Sequence, residues 1–296
     1  METFVAVAEL KGFARAARKL GLSAPRVTRL VAALEARLGV ELLHRTTRSV
    51  SLTDAGARYL AQARGIVDAV HEAERRTLAD RPVPSGRFVV TAPVVFGRLE
   101  VAPLFSRFLA RWPAVRGELL LLDRIVSLVD EGVDLAVRIG ELEDSSLRAR
   151  VIGATRRVVV ASPKYLAEHG RPRRPEDVAK HQTAQLTPLG APGEWHFQRG
   201  GRPVRVRVQP AFVTNSADAA ITHAAAGGGL AMVLSYQVAA HLKAGTLETV
   251  LDRFEPPPRP IQLVYPAARQ PSATVRAFID FAVGSRARPL AFDKHQ

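Results

Sequence analysis

The chain of 296 residues contains no cysteine, only two methionines and two tryptophans, and few acids: 28 Asp and Glu stand against 42 Lys and Arg, a net charge of +14. Without thiols there is no thiolate nucleophile, no thiolate-bound metal and no disulfide, so nothing demands an oxidising compartment. The eight histidines (44, 71, 169, 181, 196, 223, 241 and 295) show no HExxH or other ligand spacing, and no GxSxG elbow is present. Gly227-Gly228-Gly229 precedes an apolar run instead of following one and lacks the Gly-Lys-Ser/Thr signature, so it reads as a turn and not as a phosphate cradle. Nowhere is there an apolar run of eighteen residues, and Glu2, Glu9 and Lys11 interrupt the start. This leaves neither a membrane span nor a cleavable signal and points to a cytoplasmic location. Enzyme chemistry, metals and resident cofactors are therefore not expected, and no membrane partner is.

What is present is concentrated at the start. Gly12 to Leu20 and Ser23 to Leu38 read as two amphipathic helices joined at Gly21, the second with Ser23 as N-cap and Pro25 in its first turn, where a missing N-H costs nothing. Val27, Leu30, Leu34 and Leu38 form its expected buried stripe, which places Ser23, Arg26, Thr28 and Arg29 on or beside the opposite face. From Lys11 to Arg48 nine Lys/Arg face two acids, Glu35 and Glu41. A compact positive patch on a helix-turn-helix is the footprint of a duplex binder, because basic side chains release counterions condensed on phosphates and the start of the second helix reaches the major groove. Leu42, Leu43, Val50 and Leu52 then read as the anchors of a two-stranded wing carrying Arg45 and Arg48 toward the phosphate backbone.

These helices, together with Leu38-Gly39-Val40-Glu41-Leu42-Leu43-His44-Arg45-Thr46-Thr47-Arg48 and Val50-Ser51-Leu52-Thr53-Asp54-Ala55-Gly56, resemble the winged helix-turn-helix of the LysR family of bacterial transcriptional regulators. The resemblance implies base or backbone contacts at Ser23, Pro25, Thr28, Arg29 and Arg45. The chain departs from the family at Ala24, where Gln is frequent, and at Arg26, where a small residue is common, so base preference does not transfer; Arg26 has the chemistry to read a guanine edge.

Thr53 or Asp54 can cap a long helix that runs to about Ala79, where two prolines and Gly86 break it. Tyr59, Ala63, Ile66, Val70, Ala73 and Thr77 recur as a heptad seam, the pattern of a dimerising linker helix, with packing on its own domain as the other reading. The remaining residues alternate strands and helices: strands at Arg87–Pro93, Glu118–Leu122, Asp134–Ile139, Leu230–Leu234 and Ile261–Tyr265, a hairpin at Trp195–Val208, and helices at Arg98–Trp112, Ile125–Glu131, near Tyr165 and Asp177, at Ser216–Ala226 and at Ser272–Val283, the last returning to the first lobe. With Ala92-Pro93, Phe96-Gly97-Arg98, Asp134 to Gly140, Asp144-Ser145-Ser146-Leu147 and Gly227 to Leu230, this region resembles the family's effector domain, itself similar to type 2 periplasmic binding proteins.

The expected organisation is a winged helix-turn-helix over 1–53, a linker helix over 54–80, a hinge over 81–87 and a two-lobed α/β effector domain over 88–296, with lobe I at about 88–161 and 267–296 and lobe II at about 162–266. Ligands of such folds gather where strand ends meet helix N-termini. The resemblance implies an effector pocket drawn from Thr91, Val94, Phe96, Arg138, Asn215 and Ser216; if Arg138 faces the cleft, a carboxylate is its natural partner. Function is thus expected to be sequence-specific DNA binding controlled by a small molecule. The resemblance adds an interrupted palindromic operator, a homodimer through the linker helix and a homotetramer through the effector domains. A DNA-compacting protein would not need the α/β cleft, and a small-molecule carrier would not need the wing.

Overall fold

A computed structural model describes residues 1–45, 50–78, 83–142, 146–187, 193–267 and 270–284. The N-terminal unit comprises α1 (Glu2–Leu10), α2 (Phe13–Leu20), α3 (Ala24–Leu38), the antiparallel strands β1 (Leu43–Arg45) and β2 (Val50–Leu52), and the long α4 (Asp54–Leu78). Gly21 ends α2 with φ of 64°, a left-handed conformation that costs a side-chain-bearing residue energy and lets α3 leave at a sharp angle. One core joins these elements: Phe4, Val7, Ala16, Val27, Val31, Leu34, Leu42, Leu60 and Ala63 are all buried in it, and Phe4 packs edge-on against Tyr59 at 5.4 Å.

That core corrects two expectations. The buried stripe of α3 is Val27, Val31 and Leu34, whereas Leu30 and Leu38 are exposed. Leu30 and Val31 sit about 100° apart on the helix, on opposite edges of the stripe, and α1 and α2 cover only the Val31 side. The seam of α4 is not continuous either. Tyr59 and Ala63 pack into the chain's own domain beside Leu60, and only Ile66 and Val70 remain exposed; the side chains of Ala73 and Thr77 lie outside the described residues. Of the two candidate caps, Thr53 serves: its hydroxyl accepts from Gly56 N at 2.9 Å and donates to the Glu41 carbonyl at 2.8 Å.

Two sheets form the rest of the chain. β3 (Gly86–Ala92), β4 (Val115–Leu121), β5 (Leu135–Ile139), β6 (Leu147–Thr155) and β14 (Arg259–Pro266) make one in the order β4-β3-β5-β14-β6. Between β3 and β4 runs α5 (Val94–Phe96), which passes through a π-helical turn at Gly97–Val101 into α6 (Ala102–Arg111). The second sheet, β11-β8-β12-β7-β13, uses β7 (Arg157–Ala161), β8 (Thr183–Leu186), β11 (Phe212–Thr214), β12 (Leu230–Leu234) and β13 (Glu248–Val250). It carries α7 (Pro163–His169), a 3-10 turn at Pro175–Lys180, the antiparallel hairpin of β9 (Glu194–Arg199) and β10 (Arg202–Arg207), α8 (Ala217–Ala225) and α9 (Ser235–Lys243). The last helix, α10 (Ala273–Gly284), returns to the first lobe and buries Phe278 against Phe88, Phe105 and Phe108 at 5.4, 5.8 and 5.1 Å between ring centres.

Three differences from the sequence reading concern this region. The expected helix at Ile125–Glu131 is a loop ending in turns, in which Val126 and Leu128 tuck inward while Ile125 and Val129 stay exposed. Adjacent β-branched residues and Gly132 disfavour a helix there. The lobes also exchange earlier than expected on both crossings. β7 pairs within the second sheet and β14 within the first, so the chain crosses near Thr155–Arg156 and returns through Glu255–Pro258. The strands β6, β7, β8, β11 and β13 and the helix α9 are not marked in the sequence, because their apolar runs lack a clear period.

Candidate functional site

The first site is the outer face of α3. With Val27, Val31 and Leu34 inward, the residues Ser23, Pro25, Arg26, Thr28 and Arg29 are all exposed at or near the start of the helix. Neither Arg26 nor Arg29 has an acidic partner among the described residues, so both charges are available to phosphate or base edges. Ser23 occupies the N-cap position without making the cap hydrogen bond, which leaves its hydroxyl free of that role. Thr28 differs: its hydroxyl donates to the Ala24 carbonyl at 3.0 Å, so it offers a methyl group and lone pairs outward, not a free donor. The exposed Leu30, one turn beyond Arg26, is a candidate contact that periodicity alone assigned to the core.

Wing and recognition helix are held as one piece. Glu35 of α3 accepts the amides of Leu42 and Leu43 at 3.0 and 3.1 Å, and Leu42 in turn accepts Thr53 N at 3.1 Å. Arg45 is the last residue of β1, but its side chain is not described, and Arg48 lies outside the described residues.

The second site is a cleft of about 880 Å³ between the two sheets, within the size range of small-molecule pockets. Thr91, Arg138 and Asn215 line it as expected. Thr91 is buried and its hydroxyl donates to the Leu120 carbonyl at 2.9 Å, so it shapes the wall. Arg138 donates to the Val126 carbonyl at 2.6 Å and makes no ion pair with Asp134 or Glu141; the Asp134 carboxylate instead accepts Val89 N at 2.8 Å. Arg138 therefore has no acidic partner among the described residues.

The other three candidates are corrected by the structure. Phe96 is 1% exposed and stacks edge-on with Tyr236 of α9 at 5.2 Å, so it ties the lobes together below the cleft. Val94 is exposed, and Ser216 caps α8 by accepting Ala219 N at 3.3 Å. Neither lines the cleft. At the start of α5 the Asp123 carboxylate already accepts Val94 N at 3.0 Å, so that helix start is occupied from within the chain. Sequence reading missed the loop from Leu122 to Val129, the Tyr236-Gln237 corner and Arg259, all of which line the cleft. Burial raises the Tyr236 hydroxyl well above its ordinary pKa, which keeps it a neutral donor. No sequence signal marked these residues, because loops and strand ends meet there only after folding.

Among the described residues no cluster of His, Asp or Glu has the geometry to hold a metal, and no helix is long and apolar enough to cross a membrane.

Both units of the chain match known families. Residues 1–57 match the family described as bacterial regulatory helix-turn-helix protein, lysR family, and residues 81–286 match the family described as LysR substrate binding domain. The HTH-type transcriptional regulator CrgA of Neisseria meningitidis is 34% identical over 285 residues, covering 96% of this chain and 95% of CrgA. An HTH-type transcriptional repressor of Pseudomonas aeruginosa is 33% identical over 287 residues, with 96% and 90% covered. Among solved structures, CrgA superposes with a TM-score of 0.62 at 34% identity over 97% of each chain. The full-length Vibrio cholerae virulence activator AphB does so with 0.61 at 26% identity over 95% of this chain and 97% of AphB.

Proposed function

This chain belongs to the LysR family of DNA-binding transcriptional regulators controlled by a small-molecule effector, and from that we propose how its own residues meet the two ligands. Two copies pair through the exposed Ile66 and Val70 half of α4 and present their α3 helices to successive major grooves of an interrupted palindrome. Arg26 and Arg29 read base edges or hold phosphate, Ser23, Pro25 and Thr28 fit against the groove, Leu30 offers apolar contact to a thymine methyl, and Arg45 and Arg48 of the wing hold the flanking backbone. Effector domains pair again to give a tetramer. The observation that carries this reading is the pair of arginines on the exposed start of α3, away from its buried stripe and without an acidic partner among the described residues.

The effector lies in the cleft with a carboxylate on Arg138, whose guanidinium has no acidic partner among the described residues. Its occupancy reaches the DNA-binding unit through the loop from Leu122 to Gly132. Residues Leu122 to Val129 line the cleft, and immediately after them Asp130 accepts a hydrogen bond from Gln62 of α4 at 3.4 Å, while Gly132 faces the Ala61 carbonyl. By linkage, operator DNA then changes effector affinity by the same factor that effector changes operator affinity.

The test is a footprint on the chain's own upstream region at physiological salt, with random DNA as competitor. Protection of about fifty base pairs in two phased parts, on the order of four or five helical turns, is the expected result. Uniform protection that vanishes with modest salt overturns the reading in favour of a non-specific DNA-compacting protein. In the same assay Arg29→Ala weakens all duplex binding and lowers the salt slope by about 1 if Arg29 holds phosphate, or relaxes preference at one base pair at a cost of about 1–3 kcal/mol if it reads an edge. Unchanged affinity and slope remove Arg29 from the interface. Arg138→Gln is expected to weaken a carboxylate effector by about tenfold or more in calorimetry, since charged hydrogen bonds contribute about 1.5–3 kcal/mol; equal affinity removes Arg138 as the anchor.

A further inference from the structure

Arg157 opens β7, where the chain first crosses into the second lobe, and Arg259 opens β14, where it returns. The β6–β14 ladder sets Arg259 opposite Thr155, two residues before Arg157, so the two crossings bring both residues to the hinge. Arg259 lies along Gly140, so close that an added Cβ there would stand 2.7 Å from its terminal nitrogen, and it lines the hinge end of the cleft. Arg157 stands behind it, mostly buried, with its Nε lacking any hydrogen-bond partner. Neither arginine has an acidic partner among the described residues. The hinge acid, Glu255, is committed to Arg156 at 2.8 Å. Burial, and after it the charge of Arg259, lower the Arg157 pKa to about 10, the direction expected of a cation held out of water beside a like charge. An orphan buried N-H and two neighbouring cations without an acidic partner among the described residues are each costly, and one oxyanion placed between them would satisfy both.

We propose that Arg157 and Arg259 form an anion subsite at the hinge end of the effector cleft, taking a carboxylate or phosphate group of the effector. This rests on the reading of the cleft as the effector site and adds a second anchor to it. Arg138 pairs across β5–β14 with Gln262, three residues along the strand from Arg259, a backbone separation of about 10 Å. The effector class is therefore a small molecule with two anionic ends, one on Arg138 and one at the hinge.

Titration of the full-length protein with inorganic phosphate and with succinate, against chloride at matched ionic strength, tests this through thermal unfolding and calorimetry. Phosphate is expected to raise the unfolding temperature of the effector domain beyond chloride. R259Q and R157Q should each weaken phosphate by about tenfold or more, while R138Q leaves it within about twofold. Without added anion, R259Q and R157Q should unfold no earlier than wild type, because each removes one of two repelling charges, and this separates a binding defect from a folding defect. If R157Q fails to fold, R157K, which keeps the charge but drops Nε, is read instead and should weaken phosphate several-fold. Succinate binding that needs both Arg138 and Arg259 identifies a dicarboxylate source, and a response to phosphate but not succinate identifies a phosphorylated one. Equal effects of phosphate and chloride in wild type, or an unchanged phosphate affinity in R259Q, overturn the subsite. Succinate binding that is lost in R138Q and intact in R259Q leaves the Arg138 anchor standing without the hinge site, and the reverse pattern does the opposite.

Discussion

Gly56→Ala is expected to abolish operator protection while the effector domain unfolds at its wild-type temperature. Gly56 lies in the first turn of α4, directly beneath the entry to the wing, where a Cβ would stand 1.9 Å from the Leu42 carbonyl oxygen and 2.8 Å from its carbon. Both are backbone atoms, so no side chain can swing aside. The backbone at Leu42 is fixed from both ends, with its amide on Glu35 and its carbonyl on Thr53 N, and its side chain is 1% exposed in the domain core. Relief therefore requires α4 to lift away from the wing, which opens the core around Leu60 and Ala63. Overpacking of this kind costs about 3 kcal/mol or more, a large share of the stability of a small domain. Calorimetry with two resolved transitions, followed by the footprint, measures it. Wild-type protection and an unmoved first transition would show that α4 and the wing adapt.

Phe278→Ala is expected to do the complementary damage. The ring is fully buried on α10 and touches Phe88 of β3 and Phe105 and Phe108 of α6, so one side chain joins the returning C-terminal helix to both layers of the first lobe. Truncation leaves a cavity among rings that have no room to collapse, at about 3–5 kcal/mol, and lowers the effector-domain unfolding temperature by roughly 10 °C. The ligand response should weaken because β3 and β5, which bear Thr91 and Arg138, belong to the loosened sheet. Operator binding without ligand should persist. A temperature shift of only a degree or two would mean that α10 is held elsewhere.

The DNA-binding face was legible because its signals are local. Helix period, a Gly turn and a run of basic residues lie within forty consecutive positions of the sequence, and Ser23, Pro25, Arg26, Thr28 and Arg29 all prove exposed where expected. Even so, the choice between Leu30 and Val31 depended on which flank of α3 the other helices cover, and both residues are equally apolar. The cleft was half legible. Thr91, Arg138 and Asn215 sit at ends of strands, where α/β folds gather ligands, and they line it. Phe96 and Ser216 follow the same rule of position, but one satisfies a core and the other a helix end.

By itself, then, the sequence determined the two-part organisation, the recognition helix and its charge, the long linker helix and, in the effector domain, the strands β3, β4, β5, β12 and β14 and the helices α6, α8 and α10. Each follows from interactions among residues a few positions apart, which period, capping and turn chemistry encode directly. Only the tertiary structure decided that Tyr59 and Ala63 of the α4 seam belong to its own domain, that Asp123 occupies the helix start at Val94, and that the two chain crossings bring Arg157 and Arg259 to the hinge. Those facts depend on burial and on charges brought together by two separate chain crossings, and the energy of a buried charge is set by neighbours that are distant in sequence and close only in the folded chain.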